Sequence, residues 1–188
     1  MKKIAIFGSG AGSNAENICS FFADSSDIEV VLICTNNKNA FLIQRAEKLQ
    51  IPVLVFSKSE LNDFEELNQK LMTLEVDYVI LAGFLLKLPI KMIEKYAKKI
   101  INIHPSLLPK YGGKGMYGVN IHKAVLKNRE TKSGITIHLV NEKYDDGEIL
   151  LQKSCEIMPA ESILSLSEKI SALEQSYFPK TIKNYIRK

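Results

Sequence analysis

The chain has 188 residues, 46% of them hydrophobic and 24% charged, with a net charge of +4. This is ordinary globular composition, long enough for one domain with a full apolar core; the mild charge suits an anionic small substrate and is too weak to imply nucleic acid. Cys19, Cys34 and Cys155 are far apart with no metal spacing, no stretch is apolar enough to span a membrane, and Met1-Lys2-Lys3-Ile4 enters a strand pattern rather than a signal peptide, so a reduced, cytoplasmic protein is expected. In chain order, residues 4–7 form a short apolar strand that ends in a glycine-rich turn, 8–14. Residues 15–22 follow with apolar positions Ala15, Ile18, Cys19 and Phe22 at helical spacing. Strand 28–34, helix 40–49, strand 53–56, helix 64–74 and strand 78–81 come next. Residues 89–97 predict a helix with Pro89 in its first turn, where a missing N–H costs little. Strand 99–103, a proline- and glycine-rich loop 105–118, helix 119–127, strands 134–140 and 149–157, and a long helix from 164 complete the pattern.

Strands alternating with helices predict one α/β domain over 1–188. The expected architecture is Rossmann-like: a mostly parallel seven-stranded sheet with helices on both faces. Continuous apolar strands fit a sheet covered on both sides. Ligands in such sheets bind beyond the carboxyl ends of the strands, here residues 8–14, 35–37, 82–88 and 102–109.

Glycines in the first of these loops let a backbone approach an anion closely, and a helix start offers unpaired N–H groups. Gly10-Ala11-Gly12-Ser13-Asn14-Ala15 also fits the dinucleotide fingerprint. That fingerprint needs an acidic residue at the end of the second strand to hold a ribose. The strand ends instead in Cys34-Thr35-Asn36-Asn37, which favours a monophosphate over a nicotinamide cofactor. A tight turn with no ligand is the plainer alternative.

Only three histidines occur: His104, His122 and His138. His104 stands at a strand's carboxyl end before Pro105-Ser106-Leu107-Leu108-Pro109, where it can donate a proton near neutral pH. Asn102, two residues earlier on the strand, points its side chain the same way and offers an amide to a developing oxyanion. His138 falls in an apolar alternating strand and is expected to be packed or to support the site from behind; His122, between Ile121 and Lys123 on a helix, is expected at the surface.

Asn102-Ile103-His104-Pro105-Ser106-Leu107-Leu108-Pro109 resembles the signature of the 10-formyltetrahydrofolate-dependent formyltransferases. Further segments keep that family's order: Leu81-Ala82-Gly83-Phe84, Gly134-Ile135-Thr136-Ile137-His138, and Tyr144-Asp145-Asp146-Gly147 followed by Ile149-Leu150-Leu151-Gln152. Gly10-Ala11-Gly12-Ser13-Asn14 resembles the phosphate loop of the members that act on glycinamide ribonucleotide. The resemblance runs through essentially the whole chain.

The resemblance implies formyl transfer from 10-formyltetrahydrofolate, as co-substrate and without a metal, to the amine of glycinamide ribonucleotide in purine biosynthesis. By position it makes Asn102 a donor to the formyl oxygen, His104 the general acid, and Asp145 the partner of His104 that helps remove the amine proton. It further implies that Gly12, Ser13 and Asn14 hold the substrate phosphate and Glu174 another part of that substrate. Leu85, Leu86, Lys87 and Leu88, with Asn102 and Asp145, fall where folate is contacted. The loop 111–118 looks longer than in many relatives and is a candidate lid. The expected partners are these two small molecules, with no nucleic acid or membrane, in a monomer or homodimer. Other readings are a formyltransferase for methionyl-tRNA or an amino sugar nucleotide, or a nucleotide-binding module without catalysis. A tRNA-directed member usually brings a further C-terminal domain, which this length does not provide for.

Overall fold

A computed structural model describes residues 1–188. The chain runs β1 (Lys2–Phe7), α1 (Ser13–Phe22), β2 (Ile28–Thr35), α2 (Phe41–Lys48), β3 (Val53–Val55), α3 (Lys58–Asp63), α4 (Glu65–Thr73) and β4 (Tyr78–Leu81). It continues α5 (Ile90–Lys95), β5 (Ile100–His104), α6 (Val119–Lys127), β6 (Lys132–Leu139), β7 (Ile149–Glu156) and α7 (Ile163–Ile186). The strands form one seven-stranded sheet in the order β3-β2-β1-β4-β5-β6-β7. The pairs β1–β2, β1–β4, β2–β3 and β4–β5 are parallel, and β6–β7 is antiparallel. This is the mostly parallel α/β sheet that the sequence predicts. The chain's internal contacts divide it into two compact units, Met1–Asn102 and Ile103–Lys188.

In the first unit, Ile4, Ala5, Ile6 and Phe7 are all fully buried, so both faces of β1 are covered. The stripe on α1 buries Ala15, Ile18, Cys19 and Phe22, as its spacing requires. Burial pushes the Cys19 thiol up to about 12, so it stays protonated and unreactive. The predicted helix 64–74 is α4, and a short helix that the apolar spacing did not mark, α3, precedes it. Ser57 accepts from the Glu60 N–H, and the Glu60 carboxylate accepts from the Ser57 N–H, which starts α3 with a capping box. Phe64 then turns left-handed, with φ 65°, before α4. On α5, Pro89 occupies the extended N-cap position rather than the first turn. The strand registers align Cys34 with Phe7, Phe7 with Leu81 and Leu81 with Asn102, so these residues form one row across the sheet at its carboxyl edge.

In the second unit, seven consecutive residues of β6 are buried, and α7 packs against β6, β7 and α6. Gly134 is required there, because a Cβ would run into the Lys153 carbonyl of β7 and the Leu107 side chain. His122 corrects an expectation: it is 4% exposed, not at the surface. The buried stripe of α6 is Ile121, His122 and Val125, so the imidazole shares the inner face, and burial lowers its pKa.

Candidate active site

The first unit changes direction at β1: β2 and β3 are laid on one side of it and β4 on the other. The carboxyl ends of β1 and β4 are therefore a topological switch point, where open α/β sheets bind ligands. Residues 8–12 emerge there. The Gly8 N–H donates to the Cys34 carbonyl at 3.0 Å and the Ser9 N–H to the Gly83 carbonyl at 3.1 Å. The Ser9 hydroxyl donates to Asn36 Oδ1 (2.6 Å) and accepts from the Leu85 N–H (3.0 Å), while the Asn37 amide donates to the Ser9 carbonyl (3.3 Å). Ser9 thus ties the ends of β1, β2 and β4 together. A serine between two glycines carries no local signal of that role.

Helix packing explains two of the loop glycines. A Cβ on Gly8 or Gly12 would press on Leu42 of α2, and Gly12 has φ +78°, whereas Gly10 faces open space. Gly12 is the N-cap of α1 and supplies no side-chain cap, in contrast to Ser57 of α3 and Ser162 of α7, which each accept a backbone N–H. The start of α1 consequently presents the positive field of a helix N-terminus with no side-chain cap over it. Ser13 is exposed beside them and Asn14 is buried. Arg45 donates through Nε to the Ala11 carbonyl (3.0 Å) and pairs with Glu16, which partly neutralises the one acidic group of that turn. In the candidate folate stretch Leu85 and Lys87 are exposed, Leu86 is half-buried and Leu88 is buried.

In the second unit the segment after His104 is held by side-chain hydrogen bonds. The Thr136 hydroxyl donates to the Ser106 carbonyl (2.7 Å) and accepts from the Leu108 N–H (3.0 Å) and the Gln152 amide (2.9 Å). The Gln152 amide also donates to the Leu108 carbonyl (2.9 Å), and the Ser106 hydroxyl donates to the Lys110 carbonyl (2.7 Å). The Leu108–Pro109 peptide bond is cis. These contacts place His104, whose side chain is 6% exposed, with Nδ1 3.6 Å from Asp145 Oδ1. Nε2 lies 2.7 Å from the Tyr111 carbonyl oxygen. The other carboxylate oxygen, Asp145 Oδ2, accepts from the Gly113 N–H at 2.8 Å. Asp145 itself is left-handed, with φ 52°, which Asp tolerates better than most residues. Its turn needs Gly147, because a Cβ there would meet the Leu139 carbonyl.

His138 also faces the carboxylate, with Nε2 3.8 Å from Asp145 Oδ1, while Nδ1 donates to the Leu139 carbonyl at 2.8 Å. Burial pulls its pKa down, partly opposed by that carbonyl and by the Asp145 charge. It is a packed neutral ring behind the carboxylate, as expected. Glu174 is half-buried on α7. Asn102 ends the first unit on β5, two residues before His104 on the same strand. Within the second unit, an imidazole facing a carboxylate can move a proton. No group of three His, Cys, Asp or Glu residues is placed to hold a metal ion.

A family model described as formyl transferase matches residues 2–182. The chain belongs to the formyl transferase family. This formyl transferase is 39% identical to the chloroplastic phosphoribosylglycinamide formyltransferase of Arabidopsis thaliana over 96% of its own chain, and spans 64% of that relative. It is 35% identical to phosphoribosylglycinamide formyltransferase of Haemophilus influenzae, covering 97% of this chain and 86% of that one. The crystal structure of phosphoribosylglycinamide formyltransferase from Anaplasma phagocytophilum superposes with a TM-score of 0.88 at 32% identity, covering 97% of this chain and 85% of that one. No helix of the formyl transferase is long and apolar enough to cross a membrane.

Proposed function

We propose that this formyl transferase moves the formyl group of 10-formyltetrahydrofolate to the amine of glycinamide ribonucleotide, yielding N-formylglycinamide ribonucleotide and tetrahydrofolate in purine biosynthesis. The observation that carries the reading is the His104 imidazole facing the Asp145 carboxylate at 3.6 Å, at the end of the strand that carries Asn102. The acceptor is supported by the relatives' names and by the uncapped helix start behind residues 8–12.

In this mechanism the acceptor amine attacks the formyl carbon, forming the new C–N bond and placing negative charge on the formyl oxygen. The Asn102 amide and protonated His104 donate to that oxygen. Asp145 takes the amine proton, directly or through water. The carbon–N10 bond then breaks, the oxyanion electrons restore the carbonyl, and the proton passes to the departing folate nitrogen. Gly12, Ser13 and Asn14 hold the substrate phosphate, Glu174 contacts the ribonucleotide, and residues 85–88 contact folate together with Asn102 and Asp145. Residues 1–188 act as one formyltransferase domain in the cytoplasm, as a monomer or homodimer.

The test is a coupled assay offering glycinamide ribonucleotide, methionyl-tRNA and an amino sugar nucleotide as acceptors. Preference for either of the latter two overturns the acceptor. Calorimetry that finds NAD binding without binding of a folate analogue overturns the enzyme reading.

A further inference from the structure

His104 is held at both ring nitrogens. Nε2 lies 2.7 Å from the Tyr111 carbonyl oxygen. A carbonyl only accepts, so Nε2 carries a hydrogen. In the neutral ring this leaves Nδ1 bare, and Nδ1 is the atom facing Asp145 Oδ1. We propose that the Tyr111 main-chain carbonyl fixes the tautomer of His104 and makes Nδ1 the proton-carrying atom of the reaction. Glu130 and Asn128 act as positioning residues that hold Tyr111 by its hydroxyl. This rests on the reading of His104 as the reaction's acid.

The local structure argues for a built device. Tyr111 has φ 58°, a left-handed conformation uncommon for a bulky side chain. Such a conformation persists when its surroundings over-determine it. The Tyr111 hydroxyl donates to Glu130 Oε1 (3.0 Å) and accepts from the Asn128 amide (2.9 Å). Lys110 grips the same carboxylate at 2.9 and 3.1 Å, and the Lys110 carbonyl is held by Ser106. Two residues on, the Gly113 N–H holds Asp145 Oδ2, which leaves Oδ1 for the imidazole. One short run of main chain therefore orients both members of the pair.

The chemistry follows without ring rotation. Nδ1–H of the imidazolium hydrogen-bonds to the formyl oxyanion and, as the oxyanion electrons restore the carbonyl and the carbon–N10 bond breaks, passes its proton to the departing N10. The amine proton taken by Asp145 later returns to Nδ1, while Nε2–H stays on Tyr111 before and after the transfer. The product ring is then the neutral tautomer that the carbonyl already favours. Use of Nε2 as the acid would require this hydrogen bond to break in every turnover.

The test is 15N NMR of imidazole-labelled protein without substrate, following neutral His104. The wild type should carry its hydrogen on Nε2 alone. Tyr111→Phe should give mixed tautomers and lower kcat roughly 10- to 100-fold, as when the outer partner of a reactive ring is lost. KM for both substrates should stay within about twofold, because ground-state contacts are untouched. Glu130→Ala should behave like Tyr111→Phe, and Glu130→Gln, which keeps an acceptor, should restore the single tautomer. A wild-type ring with its hydrogen on Nδ1 overturns the proposal whatever the kinetics. A folded Tyr111→Phe protein with one tautomer and unchanged kcat overturns the anchoring role. If Tyr111→Phe does not fold, the wild-type spectrum and Glu130→Ala decide the matter. Full activity of His104→Ala, by contrast, removes the catalytic reading and leaves the tautomer as measured.

Discussion

Residues 8–12 and residues 104–113 carry the proposed chemistry, and they are built on opposite plans. The first presents main chain: its glycines admit Leu42, its hydrogen bonds run between strand ends, and the helix behind it is left without a side-chain cap. The second presents side chains: His104 and Asp145 face each other while carbonyl and amide groups at Tyr111 and Gly113 hold their far ends. The difference teaches which changes each can bear. A site made of backbone donors fails when atoms are added to it. A site made of an acid and its partner fails when atoms are removed.

The largest expected effect tests the second plan. His104→Ala or Asp145→Asn should lower kcat by about 10²- to 10⁴-fold, the usual worth of a positioned acid–base group, with little change in KM for glycinamide ribonucleotide. Steady-state kinetics measure this, and unchanged turnover in both variants would falsify the assignment. Next comes addition to the first plan. Gly12→Ala sets a methyl against Leu42 at a positive φ, so overpacking and the left-handed backbone together should cost roughly 2–4 kcal/mol. Gly10→Ala, with open space around it, should melt close to wild type. If the two glycine variants have equal stability in urea unfolding, the close approach of Leu42 does not explain Gly12.

The third prediction gives binding and stability opposite signs. Ser13 is exposed in the first turn of α1. An acidic side chain there favours the helix dipole by about 0.3–1 kcal/mol. The same charge, a few ångströms from a bound phosphate, opposes it by about 1–2 kcal/mol. Ser13→Glu should therefore melt at or above the wild-type temperature yet raise KM for glycinamide ribonucleotide about tenfold or more. A variant with unaltered KM would remove the phosphate from this helix end.

Much of the fold was legible because its signals are local. Apolar runs marked most of the strands, and the stripe on α1 marked that helix within two residues. The signal for α3 was present too, in Ser57-x-x-Glu60, but it lies outside the apolar spacing that marked the helix after it. His104, Asn102 and residues 8–14 stood out through residue type and position at strand ends. Asp145 did not by itself, since Asp-Asp-Gly reads as any turn; only the fold brings it to the imidazole. The groups that complete the site were beyond sequence reasoning for a physical reason. The Tyr111 carbonyl and the Gly113 amide are main-chain atoms that every residue except proline shares, so only their placement distinguishes them.

The smallest effect sharpens the comparison through pH. All three histidines lie in the second unit. Burial lowers the pKa of both His122 and His138. For a base with a depressed folded pKa, the unfolded chain binds the proton first. Stability is therefore full above the unfolded value near 6.5 and falls as pH drops from there to the folded pKa. Each ring contributes a slope of at most about 1.4 kcal/mol per pH unit within that window. Glu161 does not share it: Lys169, Ser165 and the Met158 N–H hold its pKa at about 2, so its contribution is full above the ordinary carboxylate value and is lost as pH falls from there to about 2. The rings differ as well. His138 has the Leu139 carbonyl and the Asp145 charge to oppose the effect of burial, whereas His122 Nδ1 is buried with no hydrogen-bond partner. His122→Leu should accordingly flatten the decline of stability below about pH 6.5 more than His138→Leu does, in urea titrations at successive pH values. An unaltered slope in the His122 variant would mean that the ring is protonated as readily folded as unfolded.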